Sequence, residues 1–499
     1  MATPRTLSEP APAAPREPLV APSDMRVIWL LLIAAFVAIL NETTMGIAIP
    51  HLNRDLGLPP ELGQWLTSAF MLTMAVVIPT TGFLLQRLTT RRIFIIAMSA
   101  FSLGTLLCLV APGFSFLLLG RVVQASGTGI MMPLLMTTIM DVVPAHSRGR
   151  MMGRVGLVIS LAPAIGPTLA GAVLDALSWR WLFGIVLPIA IIALAIGSRW
   201  MTNIGETRPV PLDVLSVVLS ALAFGGIVFG LSQFGAGHAG PGGLSSAALG
   251  GIVIALGLVF LALFVVRQLS LQRTDRALLD LRVFRSANFT LSILIMSVVA
   301  LAMFGTLTLL PQYLQNVVQL DALMSGLILL PGSVLMGVLG PVMGRIYDAR
   351  GPRTLLVPGT ALVVASLFFY STVSQSTPWE LLMVVQTAMS VGLAMSFTPL
   401  FSASLGSLVR RLYSHGSAVL NMLQQVAGAA GVAVLTVTYS NILHAGEASG
   451  LSTPAAGAPG ARAAFLIAAC IAIVAFALSF LIRKPEEVDG TAPGAPAGH

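Results

Sequence analysis

The stretch AILNETTMGIAIP, residues 38–50, carries Glu42 inside an apolar run that extends from Val27 to Ile49. An ionised carboxylate is costly there unless it faces a partner or a wet cavity. A later run, 114–141, carries Arg121, and these two are the only acid and the only base well inside any apolar run. If both runs are helices crossing a hydrocarbon layer in opposite directions, Glu42 sits ~22 Å along the first, ~8 Å beneath the outer edge of a ~30 Å core. Arg121 sits ~10 Å beneath the same edge, so their depths match. Ala35, Ala38, Glu42, Met45 and Ile49 share one helical face, and Arg121, Gln124, Ala125 and Thr128 share another.

Burial favours the neutral form of a carboxyl, and a nearby guanidinium favours its charged form. A glutamate held between those pressures exchanges a proton as its surroundings open to one aqueous phase or the other. Arg121 cannot release a proton itself, so its part is electrostatic, acting on Glu42 and holding Gln124. The alternative is a permanent ion pair that only fixes helix packing. The first reading is preferred because isolated charges within membrane spans are functional by default.

The elements that position these residues follow from composition. Of 499 residues, 56% are hydrophobic and 9% charged, with a mean hydropathy of +0.92, which excludes an ordinary soluble domain. Fourteen runs are long enough to cross a membrane: 27–49, 63–85, 92–110, 114–141, 149–175, 181–201, 212–232, 245–267, 287–314, 322–346, 354–372, 379–405, 414–441 and 461–482. They are too long and too uniformly apolar for barrel strands, so the fold is expected to be an all-α membrane protein.

The net charge of +8 reports topology rather than affinity for nucleic acid. With the N-terminus inside, 23 of the 27 basic residues fall on the side of the tails and even-numbered connections. Arg54, Arg180 and Arg462 fall outside, and Arg121 is left within its span. Both termini are therefore expected to be cytoplasmic. The stretch 267–287 reads as a basic cytoplasmic connection. Trp29, Trp65, Trp179, Trp181, Trp200 and Trp379 all lie near run ends, as amphipathic rings do. Cys108 and Cys470 sit in apolar runs and suggest no disulfide, and the histidines form no metal-ligand cluster. The chain has no GxxxxGK[ST], GxSxG or HExxH motif, so nucleotide hydrolysis and those enzyme classes are not expected, nor is a cofactor or metal. One lysine against 26 arginines hints at a bacterial source, with the plasma membrane as the location.

GFLLQRLTTRR (82–92) after the second run and GRIYDARGPR (344–353) after the tenth share a spacing: Gly82, Gln86 and Arg91 against Gly344, Asp348 and Arg353. The two segments are eight spans apart, which fits two six-helix halves separated by two extra helices. The expected organisation is a disordered tail (1–26), a six-helix half (27–201), an inserted pair with basic linker (202–285), a second half (286–482) and a tail (483–499).

The sequence resembles the fourteen-span drug:proton antiporter family of the major facilitator superfamily, from about 27 to 482. GRIYDARGPR is similar to the superfamily's loop signature, with Gly344, Asp348, Gly351 and Arg353 as a gating loop. GRVVQASGTGIMMP (120–133) is similar to its fourth-helix motif. APAIGPTLAG (162–171), with Gly153 before it, is similar to the antiporter motif of the fifth helix, at Gly153, Gly166, Pro167 and Gly171. In the first half Gln86 stands at the signature's acid and Thr89 at its glycine. The family's first-helix acid falls at Asn41, with Glu42 one residue later, and LNET itself resembles the lincomycin-exporter-like subgroup. The resemblance implies a major-facilitator-type bundle of fourteen helices and proton-coupled export of hydrophobic or amphipathic small molecules, with Glu42 and Arg121 as the coupling pair.

A central cavity would draw on Asn41, Met45, Gln124, Phe304, Gln312, Tyr313, Gln315, Phe397, Asn421, Gln424 and Gln425. Ordinary interhelical hydrogen bonding is the alternative for each of these, as generic packing is for the fifth-helix glycines. Expected partners are a small-molecule substrate, protons and the lipid bilayer, with no nucleic acid, and the chain is expected to act as a monomer. A transporter of one metabolite or lipid-like molecule is the competing function.

Overall fold

The computed structural model describes residues 21–57, 60–204, 213–235 and 246–484. Of the expected tails, 1–26 and 483–499, residues 1–20 and 485–499 lie outside them, and Pro22–Arg26 are the first turns of a helix. Lipid leaves a backbone no water to bond, so every long apolar run closes its own hydrogen bonds as a helix. Fifteen helices are described: α1 Pro22–Asp55, α2 Pro60–Arg87, α3 Thr90–Leu109, α4 Phe114–Val142, α5 Arg148–Ala176, α6 Arg180–Trp200, α7 Val214–Ser220, α8 Gly226–Gly235, α9 Ser246–Leu271, α10 Ala287–Asn316, α11 Ala322–Arg350, α12 Arg353–Tyr370, α13 Trp379–Gly406, α14 Tyr413–Ala448 and α15 Thr453–Ser479. A π-helical turn, Ala221–Gly225, joins α7 to α8, making one crossing element.

Among the described residues, thirteen spans are long and apolar enough to cross a membrane, against the fourteen expected. The run 149–175 is helical as α5 but is not one of the thirteen. From Val155 to Ala172 it carries no Asp, Glu, Lys or Arg, and several of its side chains lie outside the described residues, so the thirteen do not exclude it as a further span. Helices also outrun their apolar runs at polar ends. α1 begins at Pro22, five residues before Val27, and continues to Asp55.

Caps mark the boundaries. Thr89 accepts from the Arg92 N–H before α3, Ser286 from the Phe289 N–H before α10, and Asp321 from the Met324 N–H before α11. Gly351 ends α11 at φ +79°, a left-handed conformation that a side chain disfavours.

Helices α1–α6 pack among themselves, as do α10–α15. The two groups meet chiefly where α5 crosses α11 and α2 crosses α14. Helices α7, α8 and α9 sit outside this bundle, with α8 touching both α2 and α14. Asp213 ties the inserted pair together: it takes a two-pronged hydrogen bond from Arg267 of α9, at 2.6 and 2.7 Å. Gln268, fully buried, donates to Ser216 at 2.7 Å and accepts from the Leu279 N–H at 3.1 Å, anchoring the 272–285 connection to α9.

Candidate functional site

Close approach of α3 to α4 builds the site's first wall. A Cβ on Gly104 would lie 2.3 Å from the Gln124 nitrogen, and one on Gly127 would lie 2.3 Å from the Ala97 carbonyl oxygen. Only glycine permits that spacing. It brings Thr105 of α3 within 2.8 Å of Gln124, whose Nε2 donates to the threonine hydroxyl. Gln124 Oε1 in turn accepts from Arg121 Nη1 at 2.7 Å.

Arg121 is 1% exposed. Its Nη1 also donates to Asn41 Oδ1 at 3.2 Å, and its guanidinium lies 4.0 Å above the centre of the Phe70 ring on α2. No ion pair joins Arg121 to Glu42 among the described residues. The reason is the helical turn of about 100° per residue: with Asn41 facing the guanidinium, Glu42 points elsewhere. The two charges therefore interact through space, with Asn41 in direct contact where the sequence had suggested an acid–base pair.

Glu42 faces a cavity of about 180 Å³ between the two helix groups. α1, α2, α4 and α5 form one wall and α10, α11, α13 and α14 the other. Glu42 is the single ionisable side chain among the described residues that line it. Six methionines (Met74, Met131, Met132, Met303, Met336 and Met389) are part of the apolar lining and give it a flexible and polarisable surface. Polar groups are concentrated on the second wall: Thr306, Ser333, Gln386, Ser390, Asn421, Gln424 and Gln425.

Of the residues expected at the cavity, Phe304, Asn421, Gln424 and Gln425 line it. Asn41 and Gln124 stand one layer behind, in the Arg121 network. Met45 lies one turn beyond Asn41 and packs in a separate cluster with Leu66, Cys108 and Trp179. Gln312, Tyr313 and Gln315 are eight or more residues past Phe304, at least ~12 Å further along α10. There Tyr313 is buried and donates to the Ser374 carbonyl at 2.7 Å, and Gln315 is exposed. Phe397 turns away into a stack on Phe401. Gln386, Ser390, Ser333 and Thr306 were not anticipated. They are uncharged polar residues scattered along largely apolar helices, and only the chain's repeat marks one of them.

The fifth-helix glycines divide by neighbour. A Cβ on Gly153 would lie 2.1 Å from the Gly340 carbonyl oxygen, and one on Gly344 would lie 2.1 Å from the Gly149 carbonyl oxygen, so α5 and α11 cross backbone to backbone. A Cβ on Gly166 would meet the Thr43 hydroxyl at 2.2 Å, pressing α5 against α1 beside Glu42. Gly171 has open space around it and makes no such contact. The side chain of Pro167 lies outside the described residues.

At the end of the α5/α11 crossing, Asp348 accepts from the Gly149 and Arg150 N–H groups at 2.8 and 3.0 Å. A carboxylate there meets the positive end of α5. Gly351 and Arg353 instead organise their own side, Arg353 donating to the Ile482 carbonyl at 2.7 Å. Two more contacts cross between the groups on this arginine-rich face: Arg410 to Asp141 at 3.1 Å, and Gln86 to His415 at 2.7 Å.

A bundle of two helix groups meeting around a cavity, latched at one face, is a carrier's architecture, and residues 31–432 match the Major Facilitator Superfamily. The chain belongs to that superfamily. Two relatives come from Bacillus subtilis (strain 168). The MFS-type transporter YcnB is 41% identical over 460 residues, covering 92% of this chain and 95% of its own. The lincomycin resistance protein LmrB is 38% identical over 472 residues, covering 92% and 96%. Among solved structures, the proton:xylose symporter XylE superposes with a TM-score of 0.61 at 13% identity, over 93% of this chain and 96% of that one, a likeness of fold alone. This superfamily member is a multi-pass membrane transporter.

Proposed function

We propose that this chain exports hydrophobic or amphipathic small molecules in exchange for protons, by alternating access, with Glu42 as the group that carries the proton. The observation that carries this reading is the cavity itself: one carboxyl, six methionines and an opposite wall of amides and hydroxyls, with no second ionisable group among the described residues. A deprotonated Glu42 attracts a cationic or polarised cargo, and a protonated one releases it, so cargo and proton compete for a single carboxyl. Arg121 biases that competition from behind Asn41 without neutralising the acid by contact.

The name of the LmrB relative supports export of a drug-like cargo. The arginine count supports placing the latched face in the cytoplasm, so that the arrangement described is closed to the inside. The cavity is smaller than the ~300–1,000 Å³ usual for drug-sized ligands, so a bulky cargo requires the two groups to part. The expected halves, 27–201 and 286–482, would be the moving bodies of a monomer, with 202–285 beside them.

The test is proton movement in proteoliposomes. Addition of cargo should release protons from wild type, and Glu42→Gln should abolish that release while retaining the folded, monodisperse protein. Release that persists at wild-type level in Glu42→Gln removes Glu42 from the mechanism. A narrow response to one metabolite across a panel of amphiphiles would favour the competing function.

A further inference from the structure

Gly82, Gln86 and Arg91 each lie 262 residues before Gly344, Asp348 and Arg353. The same interval connects Gln124 to Gln386, and both close the tripeptide Val-Val-Gln, at 122–124 on α4 and 384–386 on α13. The two glutamines are thus repeat-related, yet their surroundings differ. Gln124 is fully buried with both ends of its amide used, Oε1 by Arg121 and Nε2 by Thr105. The residue 262 positions after Arg121 is Met383, so α13 offers Gln386 no such arginine.

Tyr370 of α12 takes that place. Its hydroxyl donates to Gln386 Oε1 at 3.0 Å. Tyr370 is fully buried, and its ring lies 4.9 Å from that of Phe465 on α15, so the phenol has little freedom. From the other side, α11 fixes the backbone of α13. A Cβ on Gly332 would sit 2.5 Å from Ser390 Oγ and 3.1 Å from the Gln386 carbonyl oxygen. With Oε1 committed to Tyr370, the free end of the Gln386 amide is its NH2, on a residue that lines the cavity wall opposite Glu42.

We infer that Gln386 is a specificity-determining residue, which selects cargo carrying an acceptor oxygen (carbonyl, ester or ether), and that Tyr370 is the positioning residue that keeps its NH2 turned to the cavity. An NH2 group has two protons to donate and no lone pair to offer, so it discriminates acceptors from donors. The preferred cargo is a cation with an oxygen acceptor some distance from its charge, spanning the cavity from Glu42 on α1 to Gln386 on α13. The inference rests on the cargo-binding reading of this cavity and is independent of whether Glu42 carries the proton.

Berberine and ethidium are suitable probes: both are planar fluorescent cations, and only berberine carries ether oxygens. Their equilibrium binding to the purified full chain gives a ratio of affinities that cancels general damage to the site. Gln386→Leu should lower the berberine-to-ethidium ratio about two- to tenfold, the range of one hydrogen bond. Tyr370→Phe, which leaves the amide in place but unheld, should lower it by a smaller factor. A ratio in Gln386→Leu equal to that of wild type, whether both affinities fall together or neither changes, overturns the inference. A Tyr370→Phe ratio equal to wild type overturns the positioning role. Glu42→Gln measured beside them separates the two ideas: if cargo still drives proton release in that variant the coupling reading fails, and the ratio test is unaffected.

Discussion

Gly153→Ala adds one methyl group where α5 and α11 have no room. The new Cβ would stand 2.1 Å from the Gly340 carbonyl oxygen, 2.5 Å from its carbonyl carbon and 2.8 Å from Pro341 Cα. All three are backbone atoms, so no rotamer change relieves the clash, and the helices must separate by about 1 Å to restore van der Waals distance. Overpacking of this kind costs about 1–3 kcal/mol. The cost falls only on the arrangement latched at the arginine-rich face, so the balance between that arrangement and one open there should shift about 5- to 150-fold. Gly171→Ala is the internal comparison: it is the same substitution on the same helix, at a position with nothing within 4 Å.

The assay is labelling of a cavity cysteine, Asn421→Cys, by a membrane-impermeant maleimide applied from the arginine-rich face. Cys108 and Cys470 are replaced by alanine beforehand. Gly153→Ala should accelerate labelling at least fivefold and Gly171→Ala should not change it. Equal labelling rates for Gly153→Ala and its parent, or equal acceleration by the two alanines, would refute the claim that this crossing holds the face shut.

Asp348→Asn keeps one acceptor oxygen for two N–H donors and loses the charge that meets the start of α5. It should weaken the closed face by about 1–2 kcal/mol and raise labelling in the same assay by less than Gly153→Ala does. Arg121→Lys replaces a planar fork by a point charge, so the joint hold on Asn41 and Gln124 is lost. Thermal unfolding should report a loss of about 2–3 kcal/mol. Hydrogen bonds from Arg267 hold the Asp213 carboxyl below the usual carboxylate range. A depressed value stabilises above the unfolded pKa and is lost as pH falls through the folded one. Amide exchange in Val214–Ser220 should therefore show constant protection from pH 5 to 8 and loosening only below about pH 4. Asp213→Asn should remove that acid-dependent step.

The helices were legible because lipid allows an apolar run of twenty residues few alternatives. Their ends were less so. Pro22 to Arg26 is polar enough to read as tail, yet it continues the first helix, because a turn emerging from the membrane keeps its own hydrogen bonds.

At the site, sequence placed Glu42 and Arg121 at one depth, and no finer. Whether residue 41 or 42 faces the guanidinium is a matter of 100° of rotation, which neighbouring helices decide. The amides on α10 illustrate the opposite difficulty: Gln312 and Gln315 have the right chemistry but the wrong depth, and composition carries no depth beyond a residue's distance from the helix end. Gln386 had a signal in the 262-residue interval, but an isolated glutamine in an apolar helix draws no attention until its neighbour Tyr370 is seen.

The element formed by α7, its π-helical turn and α8 touches α2 on one side and α14 on the other, so it behaves as a strap across a single flank of the molecule. Among the described residues, the opposite flank, where α5 meets α11, has no equivalent. Parting α2 from α14 must therefore stretch or bend the strap, and the π turn at Ala221–Gly225, already irregular in its bonding, is the place where it yields most cheaply. Separation of the two helix groups is accordingly lopsided, a door hung on one jamb rather than a book falling open. An oily molecule sliding in from the bilayer meets a guarded side and an unguarded one.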